Sequence, residues 1–157
     1  MIACRLDEFR RPYLDVILKG RNGPLPAEAA LLDTGSDTSL FPERLMAPLG
    51  VNRAECWEEE TQSQLETGTR VVLRTNTTIH VEVARTFQIP VLAAFSADVP
   101  SLLGVLDFFR WFRFVYDPAA SRAALQPHPD TPLRTRSADS GRLGTRFRLG
   151  RPPRSGR

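Results

Sequence analysis

The stretch AALLDTGSDTSLFP, residues 29–42, ends an apolar run in a carboxylate, Asp33, and follows it with Thr34, Gly35, Ser36 and Asp37. A strand that carries an ionisable group towards a core must compensate it, because an unpaired buried charge is costly or takes up a proton. The neighbours suit that task. Gly35 allows a tight turn whose N–H groups can reach a carboxylate oxygen, and Ser36 adds a hydroxyl donor nearby. The chemistry open to such a carboxylate is proton transfer, as an acid or as a base. One carboxylate alone does not fill both roles.

Other reactive groups offer less. Ser36 as a nucleophile needs a base, and the only histidines are His80, on an alternating strand, and His128, in a Pro- and Arg-rich stretch. Cys4 and Cys56 stand far apart without paired spacing and read as buried or idle thiols. No metal and no other cofactor is expected.

The elements that must hold Asp33 are short strands. YLDVILKG alternates Leu14, Val16 and Leu18 on one face, and AEAALL runs straight into Asp33. TIHVEVA sets Ile79, Val81 and Val83 against Thr78, His80 and Glu82, which predicts a solvated face for His80 and Glu82. FQIPVLAAF reads as one more strand, with Pro90 pointing to an edge or a bulge. FPERLMAPLG predicts one or two helical turns between Pro42 and Gly50. In SLLGVLDFFRWFRFVYDP, apolar residues at helical spacings (Leu102, Leu106, Phe109; Val105, Phe108, Phe112) predict a helix that leads into a last strand. The result is a compact, mainly β domain with one helix near its C-terminal end.

The 157 residues suit one domain with a proper core. Their formal net charge of +3 is uneven: residues 127–157 hold eight Arg against Asp130 and Asp139, which leaves −3 on residues 1–126. The apolar pattern also stops there. The expected division is therefore a folded domain over 1–126, with its core in 12–118, and a disordered Arg-, Pro- and Gly-rich tail over 127–157. Such a tail could attract phosphates in a salt-sensitive way. It contains one aromatic residue, Phe147, and Arg outnumbers Lys 20 to 1 across the whole chain, so the bias reads as compositional and no nucleic-acid partner is expected. No stretch approaches the ~20 apolar residues of a membrane span, and MIACRLDEFRR has no signal-like apolar core. A cytoplasmic protein without a membrane partner is expected.

ALLDTGSDTSLF resembles the catalytic loop of aspartic proteases, and SLLGVLDFF is similar to the hydrophobic-hydrophobic-Gly element that follows the active site in the single-domain, retropepsin-like branch. The order agrees as well: strand, catalytic loop, strands that include a flap, a Gly-containing strand end, a helix and a last strand. The resemblance runs from Pro12 to Asp117, about one protomer of that family. It implies a closed or partly closed β-barrel of the acid-protease type with one short C-terminal helix. It further implies a homodimer in which two copies of Asp33 meet across a two-fold axis and share a proton. The activity implied is that of an aspartic endopeptidase acting on a peptide or protein through an activated water.

By the same resemblance, Thr34 would brace the two loops, Gly35 would line the substrate path, and Ser36 would help keep the dyad ionised. Asp37 would meet substrate amides, Gly68 would belong to the flap, Gly104 would pack behind the catalytic loop, and Asp107 would be structural. Two departures stand out. Val105 follows Gly104 where retroviral enzymes carry an arginine that braces the dimer, and the flap region EEETQSQLETGTRVV offers only Gly68. The N-terminal MIACRLDEF has no evident role. The alternatives are a catalytically inactive module of the same fold that binds peptides or dimerises, and, further off, a nucleic-acid binder driven by its tail.

Overall fold

In the computed structural model, which describes residues 1–62 and 69–135, the alternating segments become strands for the reason their pattern suggests. Leu14, Val16 and Leu18 are buried, while Asp15 between them faces solvent. The described strands are β1 (Ile2–Leu6), β2 (Pro12–Gly20), β3 (Gly23–Pro24), β4 (Glu28–Leu32), β5 (Leu40–Pro42), β6 (Trp57–Gln62), β7 (Thr69–Arg74), β8 (Ile79–Val83), β9 (Phe87–Val91), β10 (Ala94–Ser96), β11 (Leu102–Leu103), β12 (Phe112–Asp117) and β13 (Arg122–Pro127). They join in the order β12-β13-β1-β2-β4-β11-β5-β10-β7-β6, with β3 and β8 branching from β2, and β9 pairing with β8. Phe41, Phe95, Phe108, Leu18, Ile79 and Leu103 are fully enclosed in the core. Burial of each contributes about 1.5–3 kcal/mol.

The expected barrel does not close. The strand path ends at β12 and β6, which do not pair with each other among the described residues. The expected C-terminal helix is also absent: from Gly104 the chain makes turns and a single 3-10 turn, Phe109–Trp111, before β12 begins at Phe112. The helical spacing there has another origin. Phe108 and Phe112 enter the core, Asp107 is drawn inward, and Leu106 is left 58% exposed, so no common apolar face exists for a helix to bury. FPERLMAPLG forms a 3-10 turn over Glu43–Leu45 and further turns up to Gly50, whose φ of +73° favours glycine. FQIPVLAAF splits into β9 and β10, and Pro90 lies on β9, whose one partner strand is β8.

Both ends of the described chain are more engaged than their composition suggests. β1 pairs with β13 through Ile2–Cys4 and with β2 through Arg5 and Leu6, which gives the N-terminal segment a place in the sheet. Residues 127–135, assigned to the tail by composition, run across the domain as a strap. Thr131 is buried and its hydroxyl donates to the Trp111 carbonyl at 2.7 Å. The Gln88 N–H donates to the Pro132 carbonyl at 3.0 Å, and the Arg134 N–H to the Thr86 carbonyl at 2.8 Å. Residues 136–157 lie outside the described residues. Among the described residues no helix is long and apolar enough to cross a membrane.

Candidate active site

β4 delivers Asp33, the loop 33–39 turns the chain, and β5 leads it away. β11 threads between these two strands, parallel to β4 (Leu102 with Leu31, Leu103 with Leu32) and antiparallel to β5 (Leu102 with Leu40). The loop is thereby pinned along its length by backbone bonds. The Asp33 N–H donates to the Leu103 carbonyl at 3.1 Å, the Val105 N–H to Ser36 at 2.8 Å, and the Leu106 N–H to Asp37 at 2.7 Å. Gly104 makes this approach possible, since a Cβ there would meet the Thr38 carbonyl carbon at 2.5 Å.

Asp33 itself is half-buried, not enclosed as an apolar strand end suggests, because β4 stops at Leu32 and the carboxylate emerges onto the loop. Oδ1 accepts the Gly35 N–H at 2.9 Å, the bond expected of the tight turn. The turn is closed by the Ser36 N–H on the Asp33 carbonyl at 3.2 Å. Among the described residues nothing donates to Oδ2. The Ser36 hydroxyl donates to the Thr38 carbonyl at 2.8 Å and stabilises the turn. Thr34, Gly35 and Asp37 are exposed, and the Thr34 hydroxyl has no partner among the described residues.

Behind the loop, Asp107 is 3% exposed and fully used. Its Oδ2 accepts the N–H groups of Ser39 and Leu92, both at 3.0 Å, and its Oδ1 accepts the Ser39 hydroxyl at 3.0 Å. The Ser39 Oγ in turn accepts the Gly104 N–H at 3.2 Å. Burial pushes the Asp107 carboxyl above the ordinary carboxylate range, and the donors from Ser39 and Leu92 draw it partly back. This makes Asp107 a structural anchor joining three segments of the chain.

β6 and β7 form a hairpin, paired from Trp57 with Arg74 to Gln62 with Thr69. Gly68 lies outside the described residues. A residue that sequence reasoning did not single out ties this hairpin to the loop. Arg74, on β7, donates from Nη1 to the Thr38 hydroxyl at 2.7 Å and from Nε to Glu59 at 3.3 Å. Its side chain is 17% exposed, which partly shelters the bond to Thr38, whereas the Glu59 carboxylate is 48% exposed. Nothing local in TRVVLRT signals a partner 36 residues away.

The remaining candidates lie elsewhere. His80 is on β8, between β2 and β9, and is half-buried; burial and then Lys19 lower its pKa. Glu82, expected on the solvated face, is 6% exposed because the strap covers it. Its carboxylate meets Arg134 at 3.2 Å and Lys19 at 3.9 Å. Cys4 and Cys56 are free, and burial pushes the Cys4 thiol up to about 11, which keeps it protonated and a poor nucleophile. Among the described residues no group of three or more His, Cys, Asp and Glu side chains could hold a metal ion.

No protein-family model and no curated protein matches this chain by sequence. Solved structures do match by shape. A retropepsin-like aspartic protease from Rickettsia conorii is 17% identical with a TM-score of 0.58, over 79% of this chain and 88% of that one. The EIAV protease complexed with the inhibitor HBY-793 is 20% identical with a TM-score of 0.45, over 62% of this chain and 85% of that one. The retroviral protease-like domain of Ddi1 from Leishmania major is 16% identical with a TM-score of 0.42, over 75% of this chain and 97% of that one. With Asp33 on a loop held between β4 and β5 by a threaded β11, and with the Rickettsia enzyme superposable over most of both chains, the chain has the retropepsin-like aspartic protease fold.

Proposed function

We propose that the chain is an aspartic endopeptidase that works as a homodimer, each copy contributing one Asp33. The observation that carries this reading is the state of that carboxylate. It sits at the end of a core strand on a pinned loop, one oxygen held by the Gly35 N–H and the other without a donor among the described residues, partly exposed where a second copy could reach it.

Two carboxylates in contact cannot both ionise cheaply, so they hold one proton between them. The ionised partner takes a proton from a water as its oxygen attacks the scissile carbonyl carbon. The protonated partner gives its proton to the carbonyl oxygen, so the dyad ends this step with the same charge. Collapse of the tetrahedral intermediate returns a proton to the leaving amine, with no covalent enzyme intermediate. In this reading the Thr34 hydroxyl braces one loop against the other. Exposed Gly35 and Asp37 face the peptide backbone, Gly68 belongs to the flap, and Gly104 and Asp107 support the loop from behind. Ser36 acts through the turn.

The test is hydrolysis of a peptide library by the purified chain between about pH 3.5 and pH 7, a range set by carboxylate titration. Asp33→Asn should abolish cleavage and leave the circular dichroism spectrum unchanged. A folded dimer that cuts nothing across that range would overturn the enzyme reading in favour of a peptide-binding or dimerisation module.

A further inference from the structure

Between the end of β2, the start of β4 and the turn that follows β5 lies a cavity of about 200 Å³. Its floor belongs to the core: Leu18 and Leu45 are buried, and half-buried Leu25 packs beside them. Leu25 is fixed by its own N–H, which donates to the Leu18 carbonyl at 2.8 Å. The rim is Pro26, Ala27 and Pro48, all exposed. Two proline rings and a side chain without rotamers have little freedom to lose when a ligand settles on them, so the cavity is largely preformed.

Only Glu28 and Arg44 carry charge among the residues that line the cavity, and they are paired, Arg44 Nη2 donating to Glu28 Oε1 at 2.9 Å. The same oxygen accepts the hydroxyl of buried Ser101 at 3.1 Å, which anchors Glu28 to the segment before β11. The Arg44 side chain is 65% exposed, and its other N–H groups have no partner among the described residues.

We propose that this cavity binds a small apolar carboxylate, with one hydrocarbon group of side-chain size inside and the carboxylate on Arg44. Volume sets the size, because an apolar cavity of about 150 Å³ takes up one benzene ring, whereas drug-sized ligands occupy about 300 Å³ or more. One phenyl or leucyl group is the load that fits. The ion pair sets the sign of the ligand's charge. Glu28 is already neutralised by Arg44, so a cation would gain little and meet repulsion, while a carboxylate meets guanidinium N–H groups arranged to receive it. A free acid and the C-terminal residue of a peptide share this chemistry. Glu28 opens β4 and Asp33 follows its end, a separation of about 17 Å at about 3.3 Å per residue. The cavity therefore binds, or fails to bind, whether or not the chain cuts peptides.

The experiment follows the amide NMR signals of the isotope-labelled full chain during titration with phenylacetate, with its neutral analogue phenylacetamide, and with the peptide acetyl-Ala-Ala-Phe carrying a free C-terminus. Each is taken to about 20 mM, a range set by the affinity open to so small a ligand. Phenylacetate should shift the signals of Leu25, Ala27, Arg44 and Leu45, and phenylacetamide should bind about tenfold more weakly, as loss of one charge-assisted bond requires. Arg44→Gln should erase the difference between acid and amide, and Arg44→Lys should keep part of it. Leu25→Trp, whose larger ring fills the cavity, should abolish binding of both. Thermal melts check that the variants fold, and the comparison of acid with amide needs only the wild type. Tighter binding of the peptide than of phenylacetate assigns the site to chain ends, and the reverse assigns it to free acids. No shift across the range, acid and amide bound alike by the wild type, binding unchanged in folded Leu25→Trp, or shifts centred on the Asp33 loop would each overturn the proposal.

Discussion

Gly104 and Thr38 touch backbone to backbone, a Cβ on Gly104 falling 2.5 Å from the Thr38 carbonyl carbon and 2.6 Å from its oxygen. The obstacle is main chain held by β5 and by Ser39, so it cannot swing aside as a flexible side chain would. Gly104→Ala should therefore push β11 away from the loop and cost about 2–4 kcal/mol of stability. The loop bonds from Val105 and Leu106 would lengthen with it, and peptide hydrolysis should fall more than the folded fraction does. Chemical denaturation and activity measured on the same sample separate the two effects.

Arg74 links the β6–β7 hairpin to the loop. Arg74→Met keeps much of the stem but removes the donors to Thr38 and Glu59. The charge-assisted bond to Thr38, which is partly buried, is worth about 1.5–3 kcal/mol, which corresponds to a loss in kcat/KM of about tenfold to a hundredfold. Arg74→Lys should recover only part of it, because a single ammonium does not reproduce the planar fork that spans two acceptors. Equal losses in Arg74→Met and in Asp33→Asn would show that Arg74 acts on more than loop position.

Asp107 gives the fold a pH dependence of known sign. Its folded pKa is raised above the ordinary 3.8, so the folded state binds the proton more tightly than the unfolded chain does. The corresponding stability is present below 3.8 and is lost as pH rises through the raised value. Asp107→Asn keeps an acceptor for the Ser39 and Leu92 N–H groups and removes the buried charge, so its stability should vary less from 3.8 upwards. Asp107→Ala leaves three donors unpaired and should cost about 2–4 kcal/mol near neutral pH. His80 acts in the opposite direction: its lowered pKa adds stability that is present above 6.5 and lost as pH falls. It is common to wild type and variant, so the difference between their denaturant midpoints at about pH 4 and about pH 7 isolates Asp107.

The strap predicts a stability boundary beyond the compositional one. A chain ended at Gln126 loses Arg134 from the buried Glu82, Pro132 from the Gln88 N–H, and the buried Thr131. Loss of the Arg134–Glu82 ion pair, of the Thr131 and Pro132 hydrogen bonds and of the strap's packing should cost about 2–4 kcal/mol. Arg134→Met alone should cost a smaller part of this. Melting temperatures of the two variants against the full chain provide the comparison, and an unchanged melt after truncation would show that the strap is not part of the cooperative unit.

What the sequence determined by itself was local. Alternation placed β2 and the inward face of β8, because a strand's period of two is written in neighbouring residues. The Asp-Thr-Gly order carried the tight turn and the Gly35 bond to Asp33, since donor and acceptor are two residues apart. Only the tertiary structure decided the rest. Helical spacing after Gly104 misled because Phe108, Asp107 and Leu106 each answer to a different partner: the core, Ser39 and solvent. Glu82 looked solvated until Arg134, 52 residues later, covered it, and the β6–β7 hairpin's tie to the loop depended on Arg74 reaching Thr38 across 36 residues. Asp33 emerged half exposed because the end of β4 is set by β11, which arrives about 70 residues downstream in sequence and pins the loop around it. Periodicity records which way a residue faces within its own element, whereas burial and bonding also depend on what another part of the chain brings to that face.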